Sequence, residues 1–321
     1  MPPAVMPPPP SETHLVPPPW TPLLIAARLY VRYGPGVRLK RLMMREWLDV
    51  GLRQNPRPQM VVRTRYGTRI RVSTTEDLIM RSLYTSGSWE PCVSAFIAAR
   101  LKPGDGFLDV GANLGHYSLL ASRLVGPAGV VVAIEPAPAI HDELLANLAL
   151  NQCGNVRPVR VAVTAEPGEI TLFVPHSGNL GATTMLKPDR HEAEMVVPGL
   201  PLADAVSTAE LERARIIKID VEGAEGTVLG SLARMLGHLR PDCEIVVEVS
   251  PERLAASGGS VNSHLAPFLD HGLRPYRLVN SYMPEDYPVM LRRPAAPARI
   301  RGPITEQTDL VLSPVDADTL G

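Results

Sequence analysis

The stretch FLDVGANLG, residues 107–115, decides how the rest of the chain is read. A short apolar run ends at Asp109, glycines follow at 111 and 115, and the helix-like run LGHYSLLASRLVG occupies 114–126. That order is a strand, a tight turn and a helix start, the opening unit of a wound α/β sheet, where ligands bind at the carboxyl ends of the strands. Gly111 lets the chain turn as it leaves the strand, and Gly115 lets the helix start sit close to the sheet. Loops that cradle a pyrophosphate carry glycine between these two positions. Here the residue is Asn113. Its side chain stands in the way of a pyrophosphate, so the loop suits a ligand without phosphates.

S-adenosylmethionine is such a ligand, with an adenosine, a carboxylate and an ammonium. The free N–H groups of the first helical turn would face the carboxylate. Asp109 would suit the ammonium. Glu135 ends the next strand-like run, GVVVAIE at 129–135, and a carboxylate there can take both ribose hydroxyls. The ordered set Asp109, Gly111, Asn113, Gly115 and Glu135 is a stronger signal than the glycines alone.

Downstream, strand-like and helix-like runs alternate. Residues 138–151 place Ile140, Leu144, Leu145 and Leu148 along one side. VRPVRVAV at 156–163 reads as a third strand that Pro158 delays, and EITLFVP at 169–175 as an edge or hairpin strand. ARIIKIDV at 214–221 and EIVVEV at 244–249 are near-continuous apolar runs, as strands covered on both faces are. A helix near 260–271 and strands at 274–279 and 309–314 follow. The expectation is a parallel sheet with helices on both faces. Residues 284–304 read as a long surface loop that either covers the site or is mobile.

A second acidic cluster lies in IKIDVEGAE at 217–225. Asp220 ends a buried strand, and Glu222 and Glu225 follow around Gly223. Acids this close repel unless solvated or matched to a cation. Helix N-terminal placement explains Glu222 and Glu225 but not Asp220. Asp220, Glu222 and His116 are the candidates for a general base. Asp220 and Glu248, each ending a strand, could share a divalent metal, with no third ligand evident.

Before the sheet, 60–73 alternates around Tyr66-Gly67 as a hairpin does. The segment 74–101 reads as two helices broken at Ser86-Gly87-Ser88. Residues 21–55 read as helices broken at Gly34-Pro35-Gly36, carrying Arg28, Arg32, Arg38, Lys40, Arg41 and Arg45. Such a basic stretch packs on the main domain or on a second subunit, or touches an anionic surface. Proline clusters make 1–20 a disordered tail. The expected division is therefore 1–20 tail, 21–100 helical and hairpin extension, and 101–321 cofactor-binding domain.

The bulk numbers exclude other classes. Lysine plus arginine number 32 against 33 acids, so no cationic excess is available for nucleic acid. Cys92, Cys153 and Cys243 are scattered and odd in number, which fits a reducing cytoplasm without a disulfide framework. No transmembrane run or signal-peptide pattern is evident.

With these pieces in order, the sequence resembles the FkbM family of S-adenosylmethionine-dependent methyltransferases. The matching residues are Tyr84, Gly87, Trp89-Glu90-Pro91, LKPGD at 101–105, DVGANLGHYS at 109–118, Glu135-Pro136, Asn147, Asn151, Ala162-Val163, Asp204-Ala205-Val206 and KIDVEGAE at 218–225, with Glu248 ending the next strand. They span roughly 75–250. Ala137 and the LADAV run at 202–206 depart from the family's usual residues.

The resemblance implies a class I, Rossmann-like methyltransferase fold, a seven-stranded mostly parallel sheet with an antiparallel last strand. It implies O-methylation of a small-molecule or glycan hydroxyl. It places Asp109, Gly111, Asn113, Gly115, Glu135 and Ala162 at the cofactor, Glu90 as an acid closing over it, and Asp220 beside the methionine moiety. A nicotinamide-dependent oxidoreductase and a non-catalytic cofactor-binding scaffold are the alternatives.

Overall fold

The computed structural model describes residues 21–54, 59–72, 77–175, 191–256 and 258–321. The Pro-rich stretch 1–20 lies outside them. Helices α1 (Thr21–Tyr33), α2 (Val37–Met43) and α3 (Val50–Gln54) open the described chain, the last two joined by a π-helical stretch at Met44–Asp49. The hairpin β1 (Met60–Arg63) and β2 (Arg69–Val72) follows, then α4 (Leu78–Ser86) and α5 (Pro91–Arg100). The sheet begins with β3 (Gly106–Val110), α6 (His116–Val125), β4 (Val130–Ile134), α7 (Pro138–Leu150) and β5 (Val156–Val159). Next come β6 (Ala162–Val163), β7 (Gly168–Pro175), β8 (His191–Leu200), α8 (Leu202–Ala205) and α9 (Thr208–Arg213). The second half is β9 (Ala214–Ile219), α10 (Glu225–Ala233), β10 (Glu244–Val249), α11 (Pro251–Ala256) and α12 (Val261–Asp270). It closes with β11 (Arg274–Arg277), α13 (Tyr287–Met290), β12 (Ala298–Arg299) and β13 (Thr308–Ser313).

The main sheet has the order β12-β11-β13-β10-β9-β3-β4-β5. Strands β5, β4, β3, β9 and β10 are mutually parallel, and β13 runs antiparallel between β10 and β11. This is the expected class I arrangement with one addition, the two-residue β12 paired to β11 at the edge, which makes eight strands rather than seven. Successive side chains of a strand point to opposite faces, and the core divides accordingly. Phe107, Val131, Ile216 and Val246 join α6, α7 and the 21–100 helices on one face. Leu108, Val132, Ile217 and Val247 join α9, α10 and α12 on the other. The extension therefore completes one hydrophobic layer of the sheet.

The helix ends follow their local chemistry. Asp77 caps α4 by accepting from the Met80 N–H at 2.8 Å, and Gly87 ends it in the left-handed region at φ 77°. Pro91 starts α5, where a missing N–H costs nothing.

Three expectations are corrected. Strand 156–163 is two strands: β5 belongs to the main sheet and β6 to a separate three-stranded sheet with β8 and β7. Pro158 does not delay β5, because β5 is the edge strand and one side of it needs no donor. The β7 strand pairs antiparallel with β8, in keeping with the hairpin expectation; β8 itself was not anticipated. Finally, 284–304 is not an open loop: Tyr287 is fully buried, and Asp286 pairs with Arg41 of α2 at 3.2 Å. Among the described residues no helix is long and apolar enough to cross a membrane.

Candidate active site

The strand order reverses between β3 and β9, and the loops leaving β3, β4, β9 and β10 open onto one crevice. A cavity of about 250 Å³ lies there. Gly111 has φ 86°, and a Cβ on it would collide with the carbonyl of Asp220, so only glycine lets β3 and β9 approach at this point. Asn113 has φ 51°, a left-handed conformation that asparagine tolerates better than most residues. Its Oδ1 accepts from the Leu114 N–H at 2.7 Å. That is the reason for an asparagine here: it supports the backbone of the turn.

The loop's amides are already used. Gly111 and Ala112 both donate to the Ile134 carbonyl, at 2.9 and 2.8 Å. Asn113 N–H donates to Glu135 Oε2 at 2.9 Å, and Gly115 N–H to the Ala112 carbonyl at 2.9 Å. The 111–115 amides are therefore not available to a ligand; the expectation of free N–H groups concerns the first turn of α6, which starts at His116. A pyrophosphate, which needs such donors, finds none in this stretch.

Side chains dominate the cavity instead. Glu90, Glu135, Asp220, Glu222 and Glu248 all line it, and no lysine or arginine does among the described residues. Gly111, Asn113 and Ala162 line it too. Asp109, Gly115 and His116 do not. Asp109 is fully buried beneath it and accepts from Ser118 Oγ at 2.6 Å, its other oxygen having no hydrogen-bond partner among the described residues. His116 is buried with Nε2 3.1 Å from Ser94 Oγ, and desolvation followed by Lys218 lowers its pKa to about 3. The ring does not line the cavity, which speaks against His116 as the base.

Carboxylates crowded out of water are harder to ionise. Burial, and then Asp220, raise Glu90 to about 7 against the pull of Lys218, Tyr117 and Tyr282. Burial raises Glu135 to about 7, opposed by the N–H groups of Ala137 and Asn113. Burial raises Glu222 to about 7, opposed by Arg253 and reinforced by Asp220, Glu248 and Glu225. Asp309 of β13, at the same end of the sheet, rises to about 8 through burial, Glu90 and Glu248. Glu90 also adopts φ 40° and ψ 74°, left-handed values that a non-glycine residue keeps only when its surroundings impose them. The hydroxyls of Tyr117 and Tyr282 donate to its two carboxylate oxygens at 2.5 and 3.0 Å.

Two cations the sequence reading did not single out balance this charge. Lys218, in β9, is 3% exposed, donates to Asp220 Oδ2 at 2.8 Å, and sits 4.6 Å from the Tyr117 ring centroid. Burial pulls its pKa down, but Asp220, Asp109 and Glu90 together hold it above the ordinary lysine value. Arg253 of α11 reaches Glu222, Glu225 at 3.0 Å and Glu248 at 3.4 Å. Lys218 was visible as a charge inside the apolar run IIKI, which demands buried partners. Arg253 carried no such signal.

These cations also decide the metal question. Asp220 is neutralised by Lys218 and Glu248 by Arg253, while Tyr282 and Gln307 donate to Glu248 Oε1 at 3.2 and 2.6 Å. Among the described residues no group of three or more His, Cys, Asp or Glu is placed to hold a metal ion. The pair Asp220 and Glu248 does not fit a divalent metal site.

Against this geometry, a family model described as the methyltransferase FkbM domain matches residues 109–274, slightly more than half the chain. The chain belongs to the FkbM methyltransferase family. A similar curated protein is the hexuronic acid methyltransferase AglP of Haloferax volcanii, 25% identical over 193 residues, 60% of this chain and 76% of that protein. Methyltransferase sdnD of Sordaria araneosa is 30% identical over 162 residues, 41% of this chain and 61% of its own. Methyltransferase 1 of Beauveria bassiana is 28% identical over 151 residues, 40% and 59% respectively. The chain thus spans about three fifths of the latter two. A solved S-adenosylmethionine-dependent O-methyltransferase from Thermotoga maritima aligns with TM-score 0.39 and 14% identity, covering 81% of this chain and 79% of that one. The FkbM match ends short of the cavity's outer wall: Trp89 and Glu90 precede it, and Tyr282 and Gln307 follow it.

Proposed function

We propose that this FkbM-family chain is an S-adenosylmethionine-dependent O-methyltransferase acting on a small-molecule or sugar hydroxyl. The observation that carries the reading is the lining of the cavity: five carboxylates, no basic side chain among the described residues, and no free loop amide between 111 and 115. Such a wall favours a cationic ligand and disfavours a dinucleotide pyrophosphate. It speaks against the nicotinamide alternative.

Glu135 stands at the carboxyl end of β4, with lone pairs left for two ribose hydroxyls after serving Asn113 and Ala137. Asp220 and Glu90 face the cavity where an ammonium and a sulfonium would be held, and Lys218 keeps Asp220 oriented. Asp109 acts from below as a positioning residue, through Lys218. The bound cofactor would supply an electrophilic methyl group. Glu222 is the candidate proton acceptor for the attacking hydroxyl, because its pKa near 7 lies where proton transfer at neutral pH is most effective. Trp89 and Tyr282, with ring centroids 5.7 Å apart, cover the cavity and restrict water.

Calorimetric titration of the full chain with S-adenosylmethionine and, separately, NADH tests the cofactor. Binding of the first alone is expected; binding of NADH alone overturns the proposal. A panel of sugars, with a uronic acid and its neutral counterpart included because of the name of the AglP relative, tests the acceptor with methyl-labelled cofactor. Cofactor binding without transfer to any hydroxyl would favour the scaffold reading.

A further inference from the structure

The solvent side of α1 is apolar. Leu24, Ala27 and Val31 face the core, while Arg28 and Arg32 are turned to the backbone carbonyls of residues 83–85. The outward positions then fall to Leu23, Ile25, Leu29 and Tyr33, exposed by 59%, 42%, 48% and 77%. Pro22 and Ala26 fill the remaining outward positions, so no charged residue stands on that side. A helix packed on one face only normally turns polar residues to water. Here both faces are apolar. The stripe continues past the helix, because Leu23 shares a groove with Trp47 and Val50, themselves 54% and 43% exposed, at whose edge Glu46 is paired with Arg45 at 2.7 Å.

We propose that this face of the N-terminal extension docks on an anionic lipid surface. Charge selects that occupant. Of the seven basic side chains in 21–54, Arg28 and Arg32 serve backbone carbonyls and Arg41, Arg45 and Arg53 pair with acids, which leaves Arg38 and Lys40 without an acidic partner among the described residues. Arg38 is exposed just beyond the stripe. Aliphatic residues flanked by tyrosine, tryptophan and arginine are what an in-plane interfacial helix presents. The helix has 13 residues, too few for a span, so it would lie in the interface plane.

Co-sedimentation of the full chain with vesicles tests this. Binding to phosphatidylcholine vesicles containing phosphatidylglycerol should exceed binding to pure phosphatidylcholine by about tenfold, as one or two basic residues at an anionic surface provide. It should weaken in high salt and fall to background in Ile25→Glu/Leu29→Glu, while S-adenosylmethionine binding shows that the variant is folded. Equal binding by the double variant overturns the proposal. So does the absence of vesicle binding. Concentration-dependent dimerisation without lipid, abolished by Leu29→Glu, would give the face to a second copy instead.

Discussion

Lys218 and Asp220 stand two residues apart at the end of β9 and are joined, Nζ to Oδ2, at 2.8 Å. The lysine is the one cation buried among Asp109, Asp220 and Glu90 that the described residues place there. Removing it leaves those acids facing one another out of water. Lys218→Met is expected to lose about 3 kcal/mol of stability, the order found when one partner of a buried charge set is deleted. Urea unfolding measures it, and a loss under roughly 1 kcal/mol would contradict the role given to the lysine.

Glu135 accepts from the N–H groups of Asn113 and Ala137 and, in the proposed function, also holds the ribose. Glu135→Gln keeps the size and one acceptor oxygen but loses the charge. S-adenosylmethionine affinity should fall about tenfold, the worth of one charge-assisted hydrogen bond. Asp109→Asn, beneath the cavity, should instead lower the unfolding temperature more than the affinity. Calorimetry and thermal unfolding on both variants separate the two effects.

The acidic cavity makes stability fall as pH rises. Glu90, Glu135 and Glu222 have folded-state pKa values near 7, above the ordinary glutamate value, and Asp309 near 8. Between about pH 4.5 and 8 these four groups hold more protons in the folded protein than in the unfolded chain, so their contribution to stability declines across that window, opposed below about pH 6.5 by His116. Glu90→Gln removes one contributor. Its unfolding temperature relative to the parent should climb by about 3 °C between pH 5.5 and 8, the shift that roughly 1 kcal/mol gives in a chain of this class. A constant difference would refute the buried-acid account.

A cation entering the same cavity favours the ionised acids. S-adenosylmethionine should bind more tightly as pH rises from about 6 to 8 and release protons on binding. Titrations in buffers of different ionisation enthalpy count those protons. Proton uptake would reverse the sign and exclude a cationic ligand.

Arg253 tunes the proposed base. The guanidinium lowers the Glu222 pKa, so Arg253→Gln should raise it and move the acidic limb of the kcat/KM profile to higher pH. An unmoved limb in an active variant would assign the limb to another group.

Much of this was legible in the chain itself because it is local. FLDVGANLG encodes its own strand, turn and helix start, and continuous apolar runs at 214–219 and 244–249 announce strands buried on both faces. The acids at the strand ends were visible for the same reason: Asp220 interrupts an apolar run. The β8 strand was not, since it is held extended by pairing with β7, a partner distant along the chain.

What pairing across the chain decided lies beyond any window of sequence. Glu90 meets Tyr117 and Tyr282 from 27 and 192 residues away, and Arg253 meets Glu222 from 31. A carboxylate's charge depends on which cation and which wall the fold brings to it. The sequence therefore determined the sheet, the loop and the acids at its rim, through period, turn chemistry and residue type. The tertiary structure alone decided which acids share a cavity, which cations neutralise them, and that His116 faces away, because burial and Coulomb interaction depend on distance in space rather than along the chain.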